Sequence, residues 1–346
     1  MQTHGGTLPE TLPVTGGAPH ASWTDADCGG GTSAGGTRPL RITVLRGGPS
    51  AEREVSLKSG RAVAAALRLL GHRVFEADIS PADLRALDEP ADVVFIALHG
   101  TFGEDGQLQA ILDERGIAYC GCGAEASALA MDKVQTKARC VAAGIPTPRF
   151  DVVRPGRWRQ ACANWSPPVV VKPVAEGSSV GCIIVREAVD FIPAVQCLVQ
   201  KYGQCLVEQY VRGLELTVGV LDGQALPPIW IRTPHMFYDY DAKYSDDRTE
   251  YLFEIPLPPA VLQRVRELSL RAFAALGCRD FGRVDWIVDA ETGEPSLLEI
   301  NTIPGFTDHS LLPKAAAQAG VGFAELCQRL VLLALRRCVA AERAAG

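Results

Sequence analysis

The chain has 346 residues, 47% hydrophobic and 21% charged, enough apolar material for two or three cores rather than one. A formal net charge of -6 gives no electrostatic reason to expect a nucleic-acid partner. No run of about 18 apolar residues is present to span a bilayer. Eleven cysteines, among them Cys140, Cys182, Cys205, Cys278 and Cys327, are scattered through regular segments. That usage fits free thiols in a reducing compartment and implies a cytoplasmic location.

Residues 1–38 are rich in Gly, Thr, Ala and Pro and lack the cationic start and apolar stretch of a secretory signal. They read as a disordered extension or a misassigned start. Residues 40–45 form an apolar strand, 47–50 a turn, and 52–70 a helix with Val55, Ala62, Val63, Ala66, Leu67 and Leu70 in its apolar pattern. A strand over 72–77, a helix near 81–87, a strand over 92–98 and a helix over 106–116 continue the alternation, which predicts a mostly parallel sheet covered on both faces. The first domain closes near Ala130, and a helix over 133–143 stops at Gly144-Ile145-Pro146. The hydrophobic period then shifts toward two, with strands over 169–172, 181–186 and 204–209 in a small α+β unit. Strands over 215–221 and 225–232 come next. A polar and aromatic loop over 233–251 follows, long enough to signal function. A helix over 259–276, strands over 282–288 and 295–301, and a helix over 323–337 complete the pattern.

The sharpest chemical signal lies in the strands carrying Arg283, Asp285, Glu299 and Asn301. Residues two apart on a strand share a face, so a hairpin would gather two carboxylates, an amide and a guanidinium on one side of an apolar ribbon. Such a cluster is costly to bury without ligands, and its oxygens suit Mg²⁺. An internal ion-pair network of Arg283 with Asp285 and Glu299 is the competing reading. A second signal is the strand lysine Lys172 running into Gly177, Ser178, Ser179 and Gly181. Backbone N–H groups of such a loop cradle phosphate, although the lysine precedes the glycines and this is not a Walker A motif; an ordinary hairpin turn has the same composition. Third, Ser310 reads as the N-cap of a helix with Pro313 in its first turn, either a carboxylate-binding helix start or simply a well-capped helix. Ser50 likewise reads as a cap for the helix that carries Glu52. The Cys120-Gly121-Cys122 pair has no second cluster nearby and reads as loop packing rather than a metal site. With Lys133 beside Met131 and Asp132, these signals describe a nucleotide site next to a small zwitterion site.

Blocks at 47–60, 97–100, 128–133, 172–181, 238–244 and 298–305, in order along one chain, resemble the D-alanine:D-alanine ligase family. The resemblance runs from about residue 40 to 337. It implies a three-domain ATP-grasp fold, α/β and α+β in class. After the 1–38 extension come an N-terminal α/β domain (39–130) for the first D-alanine, a central subdomain (131–213), and a C-terminal catalytic domain (214–340) carrying an omega loop at 233–251. ATP and two Mg²⁺, with Mn²⁺ as a substitute, are expected between the last two. By the same likeness, Lys133, Lys172 and Lys243 would contact ATP phosphates, Glu208 and Val211 the adenine, and Glu215 the ribose. Asp285, Glu299 and Asn301 would hold the metals.

Glu52 would pair with the ammonium of the first D-alanine near His99, and Ser310 and Leu311 would receive the second carboxylate. Arg283 and the backbone N–H of Gly305 would stabilise the tetrahedral oxyanion. Tyr244, Ser178 and Glu52 would form a latch when the omega loop closes. The implied reaction makes D-alanyl-D-alanine, a peptidoglycan precursor, through an acyl phosphate, in a homodimer by family likeness, with no membrane or nucleic-acid partner. Tyr244 stands where relatives using D-lactate place His. Val174-Ala175 and Cys120-Gly121-Cys122 depart from the usual family residues. A ligase using D-lactate or D-serine, and an inactive nucleotide-binding homologue, are the alternatives.

Overall fold

Ile42, Val44 and Leu45 are fully buried because Arg41–Arg46 (β1) is the centre of a parallel sheet, flanked by Arg73–Asp78 (β2) and Val93–Ile96 (β3). The structure is a computed structural model that describes residues 38–233, 248–307 and 309–345. Arg53–Leu69 (α1) connects β1 to β2 and buries Val63, Ala64 and Leu67. Between β2 and β3 the expected helix near 81–87 is only a 3₁₀ turn at Arg85–Leu87. The Asp83 carboxylate accepts the Arg85 N–H at 3.2 Å, and Ser80 bridges Asp83, so local side-chain and backbone bonds replace a helical turn. Gln107–Glu114 (α2) and Ala124–Met131 (α3) follow, the latter lying beyond what the sequence pattern predicted.

Lys133–Ala142 (α4) starts cleanly because the Asp132 carboxylate accepts the N–H groups of Val134 and Gln135 at 2.9 and 3.0 Å. Phe150–Val153 (β4), Trp158–Cys162 (α5), Val169–Lys172 (β5), Ile183–Val185 (β6), Ala188–Tyr202 (α6) and Cys205–Gln209 (β7) then build an antiparallel sheet in the order β4-β7-β5-β6. Its core is Val169, Val171, Val195, Leu198 and Val207.

The largest sheet comes last. Gly213–Leu221 (β8), Gln224–Ala225 (β9), Ile229–Arg232 (β10), Glu250–Leu252 (β11), Phe281–Asp289 (β12) and Pro295–Asn301 (β13) pair in the order β11-β10-β8-β12-β13, with β9 on β8. The single strand expected over 225–232 is split, because Pro227 and Pro228 have no N–H to donate to a ladder. Pro259–Ala275 (α7) covers the sheet, and Trp286, wholly buried beneath it, satisfies its Nε1–H on Ser269 Oγ at 2.8 Å. Ala126 and Ala130 of α3 and Cys140 of α4 lie in this same core. Leu311–Gln318 (α8) and Phe323–Ala345 (α9) end the fold, α9 packing on α1. Among the described residues no single helix is long and apolar enough to cross a membrane.

Phe306 ties the loop after β13 into this frame. Its ring is wholly buried and meets Phe95 of β3 and Phe281 of β12 edge-on, at centroid distances of 5.3 and 5.7 Å. Phe306→Ala is expected to lower unfolding free energy by about 3–5 kcal/mol in a urea titration. A loss under about 1 kcal/mol would show that other contacts hold this loop.

Candidate active site

The β12–β13 ladder sets the register on which the site rests. Arg283 stands opposite Asn301 and Asp285 opposite Glu299, so all four side chains share one face, as the alternation predicts. A bulge follows Asp285, where Leu298 is the extra residue before Trp286 pairs with Leu297. The other face of β12 is apolar, with Val284, Trp286 and Val288 wholly buried. Arg283 grips Asp285 with two N–H groups, at 2.9 and 2.8 Å, and Thr217 on β8 donates its hydroxyl to the same carboxylate at 2.5 Å. Glu299 is met at 3.3 Å by Lys133. Asn301 Oδ1 accepts the Ile303 N–H at 3.0 Å and keeps a second lone pair.

Asp285 and Glu299 face a cavity of about 350 Å³, within the usual range for a small-molecule site. Lys133 and Lys172 line it too, as do Val211, on the crossing from β7 to β8, and Glu215, within β8. Two carboxylates and an amide oxygen on one face form a hard-oxygen set suited to Mg²⁺, and the facing lysines suit its phosphate partners. The donor chemistry therefore fits both a metal and a polyphosphate.

Behind the lysines lies a buried charge cluster. Glu208 Oε1 is 3.0 Å from Lys172 Nζ and 3.1 Å from Lys137 Nζ. Burial works to raise the Glu208 carboxyl, but Lys172 and Lys137 outweigh it and hold the group below the ordinary range. Lys172 is buried too, yet Glu208 keeps its ammonium above the ordinary lysine value. Lys137 has no exposure at all; burial pushes its ammonium down to about 8 despite Glu208.

A second cluster forms where the first sheet meets the loop after β13. Glu52, at the start of α1, accepts the hydroxyl proton of Ser178. Ser178 and Ser179 hold φ of 49° and 58°, a left-handed conformation costing about 1–3 kcal/mol per non-glycine residue, and the loop presents Ser178 to Glu52 in that shape. His99 is buried beside them. Its Nδ1 meets Ile303 O at 3.0 Å, and its Nε2 lies 3.3 Å from Ser59 Oγ, which also accepts the Phe306 N–H at 3.1 Å. Burial lowers the His99 ring's basicity, but Glu104, 3.6 Å away, and Glu52 more than reverse it, while burial and Glu52 raise the carboxyl of Glu104. A Cβ at Gly305 would come within 2.6 Å of Ser310 Oγ, so a side chain there would have to displace that hydroxyl from the Thr307 N–H.

With this geometry in view, comparison with known proteins is decisive. Residues 140–332 match the family described as "D-ala D-ala ligase C-terminus", and residues 76–122 match "D-ala D-ala ligase N-terminus". The chain belongs to the D-alanine–D-alanine ligase family. A D-alanine–D-alanine ligase of Marinobacter nauticus is 49% identical over 84% of this chain and 90% of its own length. The Gloeobacter violaceus ligase is 47% identical over 84% of this chain and 98% of its own. The crystal structure of the Bacillus anthracis ligase complexed with ATP superposes with a TM-score of 0.76 at 31% identity, covering 87% of this chain and 99% of that one. The parallel first sheet followed by antiparallel sheets is the ATP-grasp architecture that the resemblance implied.

In this D-alanine–D-alanine ligase family member, the residues expected at a nucleotide and metal site do converge: Lys133, Lys172, Glu208, Val211, Glu215, Asp285 and Glu299 line one cavity. Arg283 and Asn301 adjoin it through the β12–β13 ladder. Glu52, Ser178 and His99 come together in the second cluster, while Lys243 and Tyr244 lie outside the described residues. Two expected caps are corrected. Glu52, not Ser50, occupies the cap of α1; Ser50 Oγ accepts the Glu52 N–H and donates to His99 O. Ser310 holds the cap position of α8 without capping it, because its Oγ accepts the Thr307 N–H at 2.9 Å instead. Leu311 opens α8 and is buried. The cysteines named from the sequence are free thiols: Cys140, Cys205 and Cys327 are buried, Cys182 and Cys278 half-buried. Cys122 Sγ accepts the Arg279 N–H at 3.4 Å within loop packing. Lys137, Glu104 and Thr217 went unforeseen; the one available signal was the spacing of Lys133 and Lys137, one helical turn apart.

The displaced ammonium of Lys137 makes a pH prediction. Its proton is held less tightly in the folded chain, with a value of about 8, than at the ordinary 10.5 of the unfolded one. Between those values the unfolded chain binds more protons, so this group's contribution to stability rises with pH. The stability advantage of wild type over Lys137→Met should therefore grow from pH 8 toward 10.5 in denaturant titrations. A flat difference across that window would show that the ammonium is not desolvated.

Proposed function

We propose that this chain joins two molecules of D-alanine into D-alanyl-D-alanine with hydrolysis of ATP to ADP and phosphate. One observation carries the reading. A face bearing Arg283, Asp285, Glu299 and Asn301 adjoins a lysine-lined cavity, on a chain that also sets Glu52 and Ser178 together beside His99. A carboxylate is a poor acyl donor, so the first D-alanine must be activated before an amine can attack it. Lys133 and Lys172 neutralise and orient the polyphosphate, and the segment at Val211 and Glu215 receives the nucleoside. Two magnesium ions, or manganese, held by Asp285, Glu299 and Asn301 would supply charge neutralisation for phosphoryl transfer.

Glu52 binds the first ammonium next to His99. The γ-phosphoryl group passes to that molecule's carboxylate, giving an acyl phosphate and ADP. The neutral amine of the second D-alanine then adds to the acyl carbon and phosphate leaves. Arg283 and the Gly305 N–H stabilise the oxyanion of that addition, where preorganised donors act most strongly. The start of α8, at Ser310 and Leu311, receives the second carboxylate. Lys243 and Tyr244 complete the phosphate contacts and the latch on Glu52 and Ser178. The working form is a homodimer in the cytoplasm, with the division at about residues 130 and 213 separating the first-substrate, central and catalytic domains.

Purified protein with MgATP and D-alanine should release ADP and phosphate in step with a product of D-alanyl-D-alanine mass, and L-alanine should give none. ATP binding without turnover on any acceptor, D-lactate and D-serine included, would replace this reading with an inactive fold. Arg283→Ala should lower kcat by about 10²–10³ with ATP affinity kept within about threefold. Turnover near wild type would remove Arg283 from the mechanism. Tyr244→His should shift product toward D-alanyl-D-lactate when both acceptors compete, and an unchanged product ratio would rule out Tyr244 as the selector.

A further inference from the structure

Lys137 does not line the cavity, yet it shares its carboxylate with a lysine that does. Its ammonium has three partners: Glu208 Oε1 at 3.1 Å, Thr147 Oγ1 at 2.5 Å and the ring of Phe150, 5.5 Å to the centroid. Thr147 in turn donates to Leu297 O at 2.8 Å, two residues before Glu299 on β13. One buried ammonium, on the helix whose first residue is Lys133, thus touches the sheet that carries Lys172 and reaches, through Thr147, the strand that carries Glu299.

The charge count decides what this arrangement does. Glu208 is a single anion between two cations, so the cluster keeps one net positive charge. Without Lys137, Glu208 would be fully committed to Lys172, and the cavity-facing ammonium would offer a polyphosphate little charge. A buried carboxylate with one cationic partner binds that partner more tightly than one with two. We propose that Lys137 is a positioning residue for nucleotide binding: by taking half of Glu208, it leaves Lys172 free to engage the phosphates. The proposal rests on the reading of Lys172 as a phosphate contact.

A double-mutant cycle tests it, with binding of magnesium AMP-PNP to the full chain measured by calorimetry. Lys137→Met should weaken binding by about tenfold, the scale of one charge-assisted hydrogen bond, with the KM for D-alanine unchanged. In a Glu208→Gln background the same substitution should change binding by less than about twofold, because the acid through which Lys137 acts is gone. An equal loss in both backgrounds would reduce Lys137 to a structural role and overturn the proposal, as would no loss in either. Should Lys137→Met alone fail to fold, a tenfold loss within the Glu208→Gln background would still overturn the proposal. Lys172→Met, run alongside, separates the premise from the inference. If it keeps full affinity, Lys172 is not a phosphate contact; if it loses affinity while Lys137→Met does not, only the role of Lys137 fails.

Discussion

Burying charge in a sheet is the constraint from which the site follows. The apolar face of β12 fixes its orientation through Val284, Trp286 and Val288, and strand alternation then forces Arg283 and Asp285 to the opposite side. Antiparallel pairing adds Glu299 and Asn301 to the same patch. Charges in that position need partners, and the fold supplies them from three separate elements: the Arg283 guanidinium within the strand, the Thr217 hydroxyl from β8 and the Lys133 ammonium from the start of α4. Glu208 is satisfied the same way, by lysines of α4 and β5. Two of these partners, Lys133 and Lys172, also line the cavity, so side chains that make burial tolerable border the candidate site.

At the second cluster strain is added to paired charge, His99 lying 3.6 Å from Glu104. Ser178 and Ser179 are held left-handed so that a hydroxyl from the loop after β5 reaches Glu52 on α1. His99 and Ser59 tie α1 and the first sheet to the loop bearing Gly305, and Phe306 anchors that loop from beneath. The Ser178–Glu52 contact joins two segments more than a hundred positions apart along the chain.

How much of this could be read beforehand depends on where each signal resides. The polar face was legible because strand alternation is local, and the boundaries of β13 were read without error. The motif blocks at Glu52, Lys133, Lys172 and Glu299 likewise named residues that the fold brings into the two clusters. Failures came where tertiary context or local bonding overrode pattern. The segment at 81–87 looks helical, but the Asp83 carboxylate accepts the Arg85 N–H, and α3, β4, α5 and α6 lie between stronger signals. Ser310 has the residue type and position of a cap, but Thr307 reaches its hydroxyl first. Lys137 was the hardest to see, since a lysine in an amphipathic helix belongs by default on the solvent side, and only Glu208 on a distant strand reveals why it is buried.

The proposed reaction activates a carboxylate by phosphoryl transfer, with the chain holding the two reacting groups together. D-alanine labelled with ¹⁸O in its carboxylate, turned over with unlabelled ATP, tests this most directly. One labelled oxygen is expected in each inorganic phosphate released, with the peptide carbonyl keeping the other. Phosphate released without label, or label recovered in AMP, would contradict an acyl phosphate and with it the role assigned to this site.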